Sequence, residues 1–123
     1  MNFALPFPEM TATEQRVYYE ISWRHGQQYA IPIAEIQRHT GLSERTIKDA
    51  VRTLRLAHLQ PIASRRQPPY GYFMIGTAAE LEETVHAMRS QAIEELRVCF
   101  ALLGRNRSRL RELLGQMEIE VLE

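Results

Sequence analysis

Arg45, Lys48 and Arg52 recur at steps of three and four residues, with Ser43 and Thr46 beside them, and Arg65 and Arg66 follow as an adjacent pair. A guanidinium is a flat fork of donors that matches two acceptors at once, such as the edge of guanine or a phosphate; a hydroxyl donates or accepts, and an ammonium is a compact point charge. Side chains of these types suit an anionic partner, and a nucleic acid, which adds base edges to its phosphates, is one that they fit. Arg45 and Thr46, nearest the start of the segment, are assigned to base edges, and Lys48 and Arg52 to phosphate or guanine. Ser43 suits the position that caps the segment as a helix and reaches the same surface. Glu44 and Asp49 oppose this arrangement. They repel phosphates unless one accepts from a cytosine amino group or orients an arginine.

Other chemistries find little support in the chain. Phosphate-binding loop, zinc-protease helix and nucleophile-elbow patterns are absent. His25, His39, His58 and His86 are scattered without metal-ligand spacing and read as surface or capping residues. The single Cys99 excludes an internal disulfide and falls on an apolar stripe, where it is expected to be buried. No enzymatic activity, cofactor or metal is expected. The start, MNFALPFPEM, carries two prolines and no basic residue, unlike a signal peptide, and no apolar run is long enough to span a membrane. A cytoplasmic protein is the expectation. The formal net charge is zero over 123 residues but is unevenly spread: −1 over residues 1–25, +4 over 26–75 and −3 over 76–123. A basic middle segment is suited to an anionic partner.

The elements that must position these residues follow from the punctuation. Thr11 and Glu14 form a capping-box pattern opening a helix to about His25, with Gly26 as its C-cap and Val17, Tyr18 and Ile21 facing a core. Tyr29 to Ile31 is a short β-prone piece, and Pro32 suits the first turn of a helix reaching about His39. Gly41 permits a left-handed corner, and Ser43 caps a helix over Glu44 to Ala57 held by Leu42, Ile47, Val51 and Leu54. The period then changes. Gln60 to Arg65 and Tyr70 to Ile75 read as two strands around a Pro-Pro-Tyr-Gly turn, with Phe73 and Ile75 in the core. Thr77 and Glu80 repeat the capping-box pattern before a helix from Ala78 to Leu103, interrupted near Gly104 and resumed by Leu110, Leu114, Met117 and Val121.

The order helix, short strand, helix, helix, hairpin resembles the winged helix-turn-helix superfamily over Thr11 to Ile75. Ala34, Ile36, Gly41, Leu42, Ser43, Ile47, Ala50, Val51 and Leu54 fall where that superfamily places small, glycine and apolar residues. Gln37 departs from it, standing where many such motifs have alanine. The hairpin followed by TAAELEETVHAMRSQAIEEL is similar to small phage- or plasmid-associated bacterial winged-helix proteins. The resemblance implies a mainly α fold with a small β-hairpin: a DNA-binding domain over residues 1–76 and a helical extension over 77–123. It also implies double-stranded DNA as partner, with the Ser43-capped helix in the major groove and Arg65 and Arg66 on a wing. Leu81, Val85, Met88, Ala92, Leu96, Cys99 and Leu103 form a stripe too long for a small domain to cover, so a homodimer joined through a coiled-coil-like seam is expected. RNRSRLR holds four arginines that either touch DNA or pair with nearby glutamates. Transcription regulation is the leading expectation. The alternatives are a replication, partition or recombination accessory factor, whose C-terminal helix recruits other proteins, and a winged helix used only for protein–protein contact.

Overall fold

A computed structural model describes residues 9–104 and 106–122. Most of the N-terminal stretch compared with a signal peptide, and Arg105 within RNRSRLR, lie outside the described residues. The chain is mainly helical with one small antiparallel hairpin: α1 (Ala12–Ser22), a 3-10 turn (Gln27–Tyr29), α2 (Ile33–Thr40), α3 (Glu44–Leu56), β1 (Ile62–Arg65), β2 (Gly71–Met74), α4 (Ala78–Leu102) and α5 (Arg107–Leu122). It divides into two compact units, Met1–Thr84 and Val85–Glu123. No helix among the described residues is long and apolar enough to cross a membrane.

The first unit is built around apolar side chains from α1, α2, α3, Ile31 and the hairpin. Val17 and Ile21 of α1, Ile36 of α2, and Ile47, Val51 and Leu54 of α3 are buried together with Ile31, Ile62, Tyr72 and Met74. Burying each large aliphatic side chain contributes roughly 1.5–3 kcal/mol before chain entropy is counted. Local chemistry sets the helix starts. Thr11 Oγ1 accepts from the Glu14 N–H (3.1 Å) while the Glu14 carboxylate accepts from the Thr11 N–H (2.9 Å), closing the capping box. The same carboxylate lies 3.2 Å from Nε2 of His58, which is buried rather than at the surface as expected from sequence. A buried imidazole requires a polar partner, and Glu14 supplies one.

Helix α1 stops at Ser22, three residues before its expected end. The following backbone is taken by the hairpin: Met74 N–H donates to the Arg24 carbonyl (2.8 Å), and Gly26 N–H donates to the Met74 carbonyl (3.0 Å). Ile31 then exchanges two hydrogen bonds with Tyr72, 2.8 and 2.9 Å, so the β-prone piece contributes one bridging residue beside β2. Tyr29 lies in the 3-10 turn. Within the hairpin Ile62 pairs with Met74, Ala63 with Phe73, Ser64 with Tyr72 and Arg65 with Gly71. Alternation sends Ile62, Tyr72 and Met74 into the helical core, while Ala63 and Phe73 pack with Ala30 and partly buried Ile75 on the other face.

The second unit is different. No residue of α4 or α5 is buried. Helix α4 ends at Leu102, followed by Gly104 at φ 67°, and α5 begins after Asn106, whose Oδ1 accepts from the Arg109 N–H at 3.2 Å. Cys99 is exposed, which corrects its expected burial. It borders a cleft of about 450 Å³ with Leu102, Leu103, Arg109, Glu112, Leu113 and Gln116. The chain turns at Gly104 before the apolar stripe meets enough of its own atoms to cover the thiol.

Thr77 accepts from the Glu80 N–H (3.1 Å), but the Glu80 carboxylate is shared more widely, accepting from the N–H of Gly76 and of Gln27, each at 2.9 Å. The bond from Gly76 chiefly holds this carboxyl below its usual value of 4.5; desolvation opposes it, and the bonds from Gln27 and Thr77 add to it. A depressed carboxyl contributes stability above its unfolded value and loses it as pH falls through the folded value. Glu80→Gln should therefore lower the melting temperature near neutral pH. The gap from the parent should close at pH values below the usual 4.5 of this carboxyl. A gap that is constant with pH would assign the effect to shape, not charge.

Candidate nucleic-acid interface

Helix α3 is fixed from three sides. Ile47, Ala50, Val51 and Leu54 are buried on its inner face. Its start is held by Ser43, whose Oγ accepts from the Thr46 N–H (3.2 Å) and donates to Thr46 Oγ1 (2.8 Å). The corner before it uses Gly41 at φ 74°, a left-handed conformation costly for a residue with Cβ. There the Thr40 hydroxyl donates to the Ile36 carbonyl (2.7 Å) and accepts from the Leu42 N–H (3.2 Å), while the Arg16 guanidinium of α1 donates to the Thr40 carbonyl.

The far end of α3 is tied to the hairpin by Arg55. Its Nε donates to the Ile62 carbonyl (2.8 Å), a terminal nitrogen to Ser64 Oγ (3.3 Å), and its guanidinium carbon lies 5.9 Å from the centre of the Tyr72 ring. Burial pushes the Arg55 pKa down, opposed by Tyr72; burial likewise raises the Tyr72 pKa, opposed chiefly by Arg55. In sequence Arg55 belongs with the outward charges of α3. In the fold it is a strut, and a bond spanning seven residues between helix and strand has no periodic signature.

The outward face of α3 carries Glu44, Arg45, Lys48, Asp49 and Arg52, all exposed, with Thr46 half-buried at its start. Lys48 pairs with Glu44 at 3.3 Å across one helical turn, and both side chains remain well exposed. Such a pair is worth only a few tenths of a kcal/mol, so it leaves Lys48 available to a stronger anion. Arg45 and Arg52 make no ion pair among the described residues. They stand seven residues apart, two turns along one face.

The hairpin tip spans Arg66 to Tyr70 and includes a cis bond between Pro68 and Pro69. The expected wing pair separates here. Arg66 is exposed at the tip, whereas the half-buried Arg65 donates to the Gln27 carbonyl at 3.2 Å. Arg65 thus braces the strand against the 3-10 turn. Tyr70 is exposed and Tyr72 lies in the core. Backbone amides at the base of the hairpin close on Ile31, and Gly71, at φ 130°, has no room for a side chain: a Cβ there would lie 1.9 Å from the Ile31 carbonyl oxygen.

Among the described residues no group of three or more His, Cys, Asp or Glu is placed to hold a metal ion. The expected seam residues Leu81, Val85 and Met88 are about half exposed, Ala92 and Cys99 are exposed, and Leu96 and Leu103 are intermediate. Comparisons of the chain with known protein families, with curated proteins and with solved structures return no match.

Proposed function

We propose that this chain is a winged helix-turn-helix protein that binds double-stranded DNA as a homodimer and regulates transcription. The observation that carries the reading is the pair of exposed arginines without ion-pair partners, Arg45 and Arg52, on the outward face of a helix whose inner face is locked. Two free guanidiniums ~10 Å apart along a helix axis match the depth and width of a major groove, which admits one helix. Ser43, Thr46 and Lys48 lie on the same N-terminal stretch and supply backbone contacts and a second base-reading group. Arg66 at the hairpin tip reaches the flanking backbone, and Arg65 holds the strand that presents it.

The second copy follows from α4. Its 25 residues extend ~38 Å without one buried side chain. Pairing with another copy covers Val85, Met88, Leu96 and Leu103 and sets two α3 helices on one duplex, which favours a palindromic site with half-sites ~34–36 Å apart or a multiple of that.

Selection from random duplexes, followed by capture of bound genomic fragments, tests the reading. A recovered palindrome near promoters supports a regulator, and a cluster of sites at one locus supports the accessory-factor alternative. Failure to enrich any sequence removes DNA from the account. A second reading has one observation in its favour. Tyr19 of α1 and Trp23, the residue that caps its C-terminal end, are exposed at 72% and 60%, with the Arg24 guanidinium 4.2 Å from the Trp23 ring, a surface fit for another protein.

The two hairpin arginines should separate in experiment. Arg66→Ala should lower affinity for every sequence alike and reduce the slope of log affinity against log salt by about 0.9, the signature of one lost phosphate contact. Arg65→Ala should lower thermal stability as well, because it releases the Gln27 carbonyl. Identical salt slopes for parent and Arg66→Ala would place the tip away from DNA.

A further inference from the structure

Helix α5 carries its charges in the wrong order for a solitary helix. Arg107, Arg109 and Arg111 occupy its first five residues, and Glu118 and Glu120 fall in its last five. The partial charge of a helix is positive at its start and negative at its end, so both groups oppose the helix dipole. Arg107 and Arg111 are also stacked one turn apart, a like-charge pair that weakens a helix. Among the described residues no ion pair of these five side chains offsets the arrangement.

The same helix has an exposed face with a strict spacing. Arg107, Arg111, Leu114, Glu118 and Val121 follow one another at steps of four, three, four and three, and all are exposed. Leu114 is 45% and Val121 77% exposed. Beside Leu114 stands Gly115, at the middle of the helix, where an added Cβ would meet no atom within 4 Å. Glycine is the least favourable helix residue after proline, and its use here has no cause in the chain's own packing. Close approach of another backbone would supply one.

We propose that the outer face of α5 is a self-association surface that pairs antiparallel with α5 of a second copy about a two-fold axis between Leu114 and Gly115. Antiparallel pairing about the helix midpoint sets Arg111 opposite Glu118 of the second copy, and symmetry repeats the pair. Arg109 and Glu120 lie on the opposite side of the helix, where Arg109 borders the cleft with Cys99, and take no part in the pairing. Each helix start, with its arginines, then lies beside the acidic end of its twin, which reverses the dipole penalty. Leu114 meets Gly115 of the second copy at the crossing, where the absent side chain lets the helices close. A parallel pairing has none of this, because it sets arginine on arginine and glutamate on glutamate. The surface requires neither DNA nor pairing through α4.

Disulfide trapping on the full chain tests it. In a Cys99→Ser background, Leu114→Cys places thiols across the axis, within reach of a disulfide. Arg107→Cys places them ~22 Å apart along the axis at a rise of 1.5 Å per residue. Under diamide the Leu114→Cys chain should form a covalent dimer, and the Arg107→Cys chain should not. Adding Arg111→Glu should lower the trapped fraction by roughly tenfold, as two attractive pairs become repulsive, and adding Glu118→Arg to that chain should restore it. Adding Leu96→Glu instead, which disrupts any seam through α4, should leave trapping at Leu114→Cys intact. Failure there, equal trapping at both positions, or indifference to charge reversal would overturn the proposal. The DNA-binding reading is untouched by any of these results, and loss of DNA binding leaves the trapping pattern unchanged.

Discussion

The double substitution Arg45→Ala with Arg52→Ala is expected to weaken binding to a selected duplex severely while leaving the melting curve of the protein close to that of the parent. Each bidentate contact to a base edge discriminates by ~1–3 kcal/mol, so two together weaken cognate binding by about a hundredfold or more. The fold should tolerate the loss because both side chains are exposed and contribute no ion pair, whereas Ile47, Ala50, Val51 and Leu54 hold α3 from the other side. The natural comparison is Arg55→Ala. It should lose stability first, since it strips donors from the Ile62 carbonyl and Ser64, and lose DNA affinity only as α3 loosens. Retained cognate affinity in the Arg45, Arg52 double variant, measured by fluorescence anisotropy, would remove α3 from the interface.

The second large effect concerns the base of the hairpin. Gly71→Ala should destabilise the first unit by about 3 kcal/mol or more, a large part of the 5–15 kcal/mol that separates most folded domains from their unfolded chains. The cause is contact with backbone: the new methyl would lie 1.9 Å from the Ile31 carbonyl oxygen and 2.6 Å from the Pro32 nitrogen. Relief requires parting Ile31 from Tyr72, which breaks both hydrogen bonds of that bridge and opens the core beneath Ile62 and Met74. A drop of roughly 12–24 °C in melting temperature corresponds to such a loss in a unit of this size. Gly41→Ala serves as the contrast. Its φ of 74° is also left-handed, but the Cβ would meet nothing within 4 Å, so only the conformational cost of ~1–2 kcal/mol applies. Equal melting shifts at the two glycines would show that the close approach at Gly71 is relieved at little cost.

These glycines show what sequence could and could not reveal. Gly41 was readable because its role is local: a turn between two amphipathic segments, followed by a capping serine. The capping box at Thr11, the cap at Ser43 and the inner residues of α3 were readable for the same reason, since each depends on neighbours within one or two turns. Gly71 looked like an ordinary turn glycine, because its constraint is set by Ile31, forty residues earlier. The braces Arg16 to Thr40, Arg55 to Ile62 and Arg65 to Gln27 share that character. Charge at those positions reads as surface, and only the fold converts it into a strut. The candidate site divides along the same line. Arg45, Lys48 and Arg52 emerge on one exposed face because helical periodicity put them there, whereas the hairpin pair splits into a brace and an exposed tip because strand register decides between adjacent residues. His58 reads as a surface residue for a related reason: its polar partner in the core, Glu14, lies 44 residues away in the sequence. Cys99 was misplaced because an apolar stripe marks what a helix can bury, not whether its own chain supplies the cover.

Titration of isotope-labelled protein with a selected duplex, followed by backbone amide shifts in nuclear magnetic resonance, tests the central claim most directly. The account predicts salt-sensitive shifts concentrated at Ser43, Arg45, Thr46, Lys48 and Arg52, with a second group at Arg66 on the hairpin tip, and little change at Tyr19 and Trp23. Shifts confined to α1 or to α5, or no shifts at moderate salt and saturating duplex, would contradict it.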